Sequence, residues 1–169
     1  MRRPDLEGLP PTPTLPSGYE LRAARSDDDQ AIAEVMASAF GSDWSVARVH
    51  EALLDAEDVT ATFVVAARGV PVATASARLM PEVYPGSGYL HWVAVHADHR
   101  GKHLGRVVSL AVLQAFREVG CRDAVLETDP PRLPAIRLYL GLGFRPVQVA
   151  PEHEAVWRSI LAELEKAPG

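Results

Sequence analysis

Cysteine is almost absent. Cys121 is alone in 169 residues, so no internal disulfide can form, and the chain is expected in a reducing compartment, the cytoplasm. No apolar run approaches the roughly 18 residues of a membrane-spanning helix, so no membrane partner is expected. Positive charge is in deficit: 17 Lys and Arg face 22 Asp and Glu, for a net charge of −5. An acidic chain is repelled by a phosphate backbone, which argues against nucleic acid as a partner and against action on ribosomes or transfer RNA. The first residues lack the apolar segment of a targeting signal. His50, His96, His99 and His153 share neither ligand spacing nor a common element, so no metal is expected.

What is present suits one globular domain. Hydrophobic residues make up 47% and charged residues 23%, and a chain of this length buries enough surface to need no staple. Residues 1–17 hold Pro4, Pro10, Pro11, Pro13 and Pro16 and are expected to form a flexible tail ahead of a single domain over 18–169. Oligomeric state is left open between monomer and homodimer.

Gly18–Arg25 reads as a strand, followed by a helix capped by Ser26 and stopped by Gly41. A second helix starts near Ser45. Thr62–Ala67 and Val72–Leu79 read as strands paired across the turn Arg68–Pro71, and Tyr89–Val95 as a central, strongly apolar strand. A long helix runs from Leu104 to a stop at Gly120. A short strand at Ala124–Glu127, a helix at Leu133–Leu142, a last strand at Phe144–Val149 and a helix from Glu152 follow. This order predicts a three-layer α/β/α fold around a mixed sheet.

The chemistry is expected at Val95–Gly105, where an apolar strand runs through a glycine-containing basic loop into a helix. Unpaired amides at a helix start bind anions, and Arg100 and Lys102 add charge beside them, so a pyrophosphate fits here. The run HRGKHLG resembles the acetyl-coenzyme A (acetyl-CoA) loop of the Gcn5-related N-acetyltransferases (GNAT), and Ala135–Phe144 resembles their Ala-x-x-Leu-Tyr-x-x-x-Gly-Phe segment. Two positions depart from the family pattern. His103 replaces the central loop glycine, and Arg132 stands where an asparagine is common. Because Gly101 and Gly105 flank the turn, His103 is expected to point to solvent from an ordinary backbone.

The resemblance implies a mostly antiparallel sheet splayed at the acetyl-CoA site, and acetyl transfer to an amine by direct attack. Backbone at Val93, Ala94 and Val95 would flank the pantetheine, and Arg100, Gly101, Lys102, His103, Leu104, Gly105 and Arg106 would hold the pyrophosphate. Tyr139 matches the family tyrosine, and its phenol can protonate a departing thiolate. By strand alternation Tyr89, His91, Val93 and Val95 share one face. His91 is a candidate base, with Tyr89 or water as alternatives. Between Asp27 and Asp58 stand nine acidic residues and one basic residue, Arg48, which suits a solvated face or the attraction of a cationic amine. Phe40, Trp44, Tyr84, Tyr89 and Trp92 can line an apolar pocket if they converge. The expected acceptor is a small-molecule amine. The alternatives are a CoA-binding sensor or interaction module without turnover, and use of another acyl donor.

Overall fold

The computed structural model describes residues 1–148, 150 and 152–166. Six strands form one sheet in the order β1-β6-β5-β4-β3-β2. They are β1 (Arg2–Arg3), β2 (Tyr19–Ala23), β3 (Val59–Ala67), β4 (Val70–Leu79), β5 (Ser87–Val95) and β6 (Asp123–Val125). Only β5 and β6 run parallel; every other pair is antiparallel. The helices are α1 (Asp29–Phe40), α2 (Val46–Val49, continued by a π-turn over His50–Leu54), α3 (Leu104–Glu118), α4 (Leu133–Gly141) and α5 (Glu152–Lys166).

Alternation along the strands separates two cores. Val65, Ala73, Ala75 and Ala77 meet Val107, Val108, Leu113 and Phe116 of α3 on one face. Val64 and Ala94 meet Ile32, Val35 and Met36 of α1, with Trp44, Val49 and Leu53, on the other. The expected three-layer α/β/α architecture is therefore present. Gly88 allows the closest contact: a Cβ there would lie 2.3 Å from the Phe116 ring, so any side chain would push α3 off the sheet. Arg68 (φ +51°) and Gly69 (φ +87°) make the two-residue turn between β3 and β4.

Three local expectations are corrected. Ser26 is not the cap of the first helix. The Asp28 carboxylate accepts from the Arg25 amide at 2.7 Å and pairs with Arg22, leaving Ser26–Asp28 as a 3₁₀ turn ahead of α1. No strand forms at Phe144–Gln148; Arg145 alone bridges to Arg2, and Pro146, which has no N–H to donate, follows it. Val149 lies outside the described residues.

The third correction concerns residues 1–17. Arg2 and Arg3 pair with Val125 and Ala124 of β6, and Arg2 exchanges both backbone hydrogen bonds with Arg145 at 2.8 Å. Leu6 is 2% exposed, and Leu9 and Leu15 pack on the α3-side core. Proline density does limit the sheet, since β1 stops at Pro4. The leucines between the prolines still find apolar partners, and the stretch lies on the domain as a strap.

Candidate active site

The site is an opening between two parallel strands. β5 and β6 pair only from Ser87–Asp123 to Tyr89–Val125. Beyond that, Leu126 turns its amide to the Met1 carbonyl at 3.0 Å, and among the described residues β5 has no neighbour on that edge. At the same level β5 carries a bulge. Thr74 opposes Ala94 and Ser76 opposes His91, so Ala75 alone faces both Trp92 and Val93. Trp92 takes a left-handed backbone, φ +45°, to make it.

The bulge overturns the expected alternation. Leu90, Val93 and Val95 pack toward the core under α3, whereas Trp92 and Ala94 pack toward the core under α1. His91 is therefore on the opposite face from Val93 and Val95. One inserted residue puts side chains from both faces of β5 around the same opening.

A cleft of about 220 Å³ occupies this opening. Tyr89, Leu90, His91, Trp92 and Val93 form one wall, Glu127, Thr128 and Asp129 the other, with Tyr139, Arg132 and Phe40 closing it. Thus Tyr139, His91 and Val93 are brought together. Burial pushes the Tyr139 phenol up to about 12, partly opposed by the charge of Arg132. Burial also takes His91 down to about 4, helped by nearby Arg78, so its imidazole is neutral at pH 7. Tyr89 is pushed up to about 12, first by burial and then by Glu127.

The candidate aromatics converge in two groups. Trp92 packs edge-on against Trp44 at 4.8 Å and Phe40 at 5.0 Å between ring centroids. Tyr84 stacks on Tyr89 at 5.7 Å, and the His91 ring lies 5.7 Å from Tyr89 and 5.4 Å from Trp92, joining the groups. Glu127 escaped the sequence reading. The Tyr84 hydroxyl donates to it at 2.8 Å, which raises the Tyr84 pKa. The available signal was a lone carboxylate just past the carboxyl end of an apolar strand, where parallel sheets place ligands.

The basic loop lies at the head of α3. The amides of Gly101, Lys102, His103, Leu104 and Gly105 have no acceptor among the described residues. Arg100 and Lys102 are exposed beside them. Leu104 instead buries its side chain in the core, and Arg106 donates to the Gly141 carbonyl at 3.2 Å. Gly105 seats this loop against the cleft: a Cβ there would lie 3.5 Å from Val95 and 3.9 Å from Leu138, the neighbour of Tyr139. His103 corrects one expectation. Its side chain is exposed as expected, but its backbone is left-handed, φ +58° and ψ +17°. The departure from glycine therefore sits at a position whose geometry favours glycine.

Five unpaired amides with two cations fit a pyrophosphate, and the unpartnered edge of β5 fits an amide-bearing arm such as pantetheine. The comparisons with known proteins agree. Residues 29–144 match the profile of the Acetyltransferase (GNAT) family. Mycothiol acetyltransferase of Actinosynnema mirum is 33% identical over 154 residues, covering 85% of this chain and 50% of that protein. The chain thus spans about half the length of the mycothiol acetyltransferases that it matches. The ribosomal-protein-S18-alanine N-acetyltransferase from Escherichia coli superposes with a TM-score of 0.65 at 21% identity, over 77% of this chain and 79% of that one. An aminoglycoside N-acetyltransferase in complex with CoA does so with a TM-score of 0.67 at 19% identity, over 78% and 91%. At such identities the two structures speak to the fold. With more than half of its residues inside the family match, the chain belongs to the GNAT acetyltransferase family.

Proposed function

We propose that the protein moves an acetyl group from acetyl-CoA to the amine of a small-molecule acceptor by direct attack in a ternary complex. The observation that carries this reading is the opening between β5 and β6, bulged at Trp92–Val93 and faced by Tyr139. A relative that bears the name mycothiol acetyltransferase supports a small-molecule acceptor. The single, half-buried cysteine supports a cytoplasmic setting, and no helix among the described residues is long and apolar enough to cross a membrane.

Acetyl-CoA would supply an activated thioester carbonyl. The amides of Gly101–Gly105 hold its pyrophosphate, with Arg100 and Lys102 adding charge, and the backbone of Val93, Ala94 and Val95 lies along the pantetheine. The Val93 amide donates to the thioester oxygen, where negative charge grows during attack. Tyr139 keeps its proton, because burial disfavours the phenolate, and delivers it to the departing sulfur. His91, kept neutral by burial, takes the proton released as the amine nitrogen bonds to carbon. The carboxylate of Glu127 draws the cationic form of the acceptor into the cleft.

An amine panel that follows free CoA release tests the reading, alongside a thermal shift with acetyl-CoA. The expected result is stabilisation by millimolar acetyl-CoA and release with at least one amine. Stabilisation without release on any amine would leave a CoA-binding module, and the absence of both would remove the functional content of the site.

A further inference from the structure

We infer that the acceptor carries a carboxylate as well as its amine, and that Arg132 is the residue that binds it. This rests on the acetyl-transfer reading for the role of the cleft, but the geometry belongs to the cleft itself. Arg132 is the residue before α4, between Pro131 and the helix that carries Tyr139. Its guanidinium lies 4.2 Å above the Phe40 ring and lines the cleft. Among the described residues it meets no carboxylate within 4.0 Å and donates no side-chain hydrogen bond, although Glu127 and Asp129 line the same cleft.

Stacking uses one face of a guanidinium and leaves its rim of N–H donors open, in the fork geometry that a carboxylate matches. Neither carboxylate of the cleft, Glu127 or Asp129, pairs with Arg132 among the described residues, and Glu127 accepts from Tyr84 instead, so the cleft presents carboxylates and a cation that do not cancel each other. A ligand with an ammonium and a carboxylate complements both. Phe40 and Trp92 line the cleft beside them and offer apolar surface to a substituent.

The rival partner for Arg132 is a phosphate of the acyl donor. Two observations place Arg132 away from it. The unpaired amides and the exposed cations suited to phosphate are at the head of α3. Arg132 instead lines the same cleft as Tyr139, His91 and Val93, where the reacting groups meet.

The test uses matched pairs that differ only in the carboxylate, L-phenylalanine against 2-phenylethylamine and L-leucine against isoamylamine. Binding is measured by calorimetry with the full chain and CoA present, in the wild type and in Arg132→Gln and Arg132→Lys. The wild type is expected to bind each amino acid at least tenfold more tightly than its decarboxylated partner. Arg132→Gln should abolish that preference, Arg132→Lys should keep part of it, and acetyl-CoA affinity should stay within about threefold throughout. Equal affinity for the two series, whether weak or strong, overturns the inference. So does an Arg132→Gln variant that loses tenfold in acetyl-CoA affinity while its ligand preference is unchanged, since Arg132 is then a phosphate contact. Loss of CoA release with the carboxylate preference intact defeats the transfer reading and leaves this subsite standing.

Discussion

Replacing Leu6 by alanine should destabilise the protein by about 2–3 kcal/mol. Leu6 is 2% exposed and belongs to the core under α3 that also holds Tyr139, Leu142 and Phe144. Truncation of a buried leucine costs roughly 2–5 kcal/mol, the spread reflecting how far the site collapses. The lower end applies because Leu6 enters from a strap at the margin of the core, where the chain can settle into the space. For a chain of this size about 2–4 °C is lost per kcal/mol, so Tm should fall by about 4–12 °C. Urea unfolding should show a lower midpoint with an unchanged m-value. Thr14→Ala, at an exposed position in the same stretch, serves as the control and should stay within about 0.5 kcal/mol of wild type. A Leu6→Ala effect as small as that of the control would refute the docked strap.

Tyr139→Phe should lower kcat by about 10²-fold with acetyl-CoA affinity nearly unchanged, since the hydroxyl acts as the thiolate leaves; near-normal turnover under chemistry-limited conditions would make Tyr139 a packing residue. His103→Gly should relieve a left-handed histidine without moving the amides around it, so acetyl-CoA Kd should change less than about fivefold, against the roughly 1.4 kcal/mol of a tenfold change. Tightening of tenfold or more in that variant would mean that the loop is held away from its binding geometry, and weakening of that size would make the imidazole a phosphate contact. His91 should tie stability to pH. Its folded pKa of about 4 lies below the unfolded value of about 6.5, so the unfolded chain binds more protons between them, and stability is lost as pH falls through that window. His91→Gln should flatten Tm against pH between 4 and 6.5, and parallel slopes for the two proteins would contradict the burial of a neutral imidazole.

Long periodic segments were legible because their burial is local. Ile32, Val35 and Met36 of α1 and Leu104, Val107 and Val108 of α3 recur at helical spacing and are buried where that spacing puts them, although Val119 on the same spacing is exposed and Leu113 and Phe116 fill the core instead. Gly41 and Gly120 end helices with positive φ, as their flexibility suggests. What failed depended on distant partners. Nothing within Phe144–Gln148 reveals that Arg2 takes the pairing of Arg145, and nothing within residues 1–17 reveals that β6 has an edge for them. Glu127 was missed for the same reason. Its significance comes from Tyr84, 43 positions earlier in the chain, and from the loss of β5–β6 pairing just before it.

The bulge in β5 shows why a correct list of site residues can still carry the wrong geometry. Strict alternation would put His91 and Val93 on one side of the sheet and leave the other side without a proton-handling group. With Ala75 opposing two residues, His91 remains on the side of Trp92 and the α1 aromatics, while Val93 turns toward α3 and the core of Tyr139. In the proposed reaction the proton acceptor and the proton donor then approach the cleft from opposite faces of the sheet. They do so where the missing β6 partner exposes the β5 backbone to the thioester. The two proton tasks need this separation, because the nitrogen that loses its proton and the sulfur that gains one lie on different sides of the carbonyl carbon. A variant that removed the bulge, by deleting Trp92, would leave His91 opposite Ser76 and Val93 opposite Ala75, each on its present face, and would take away the kink and the indole that wall the opening. It should therefore abolish acetyl transfer even if the sheet still forms and the head of α3 still binds acetyl-CoA. Retained turnover in a folded deletion variant would show that the bulge does not organise the site.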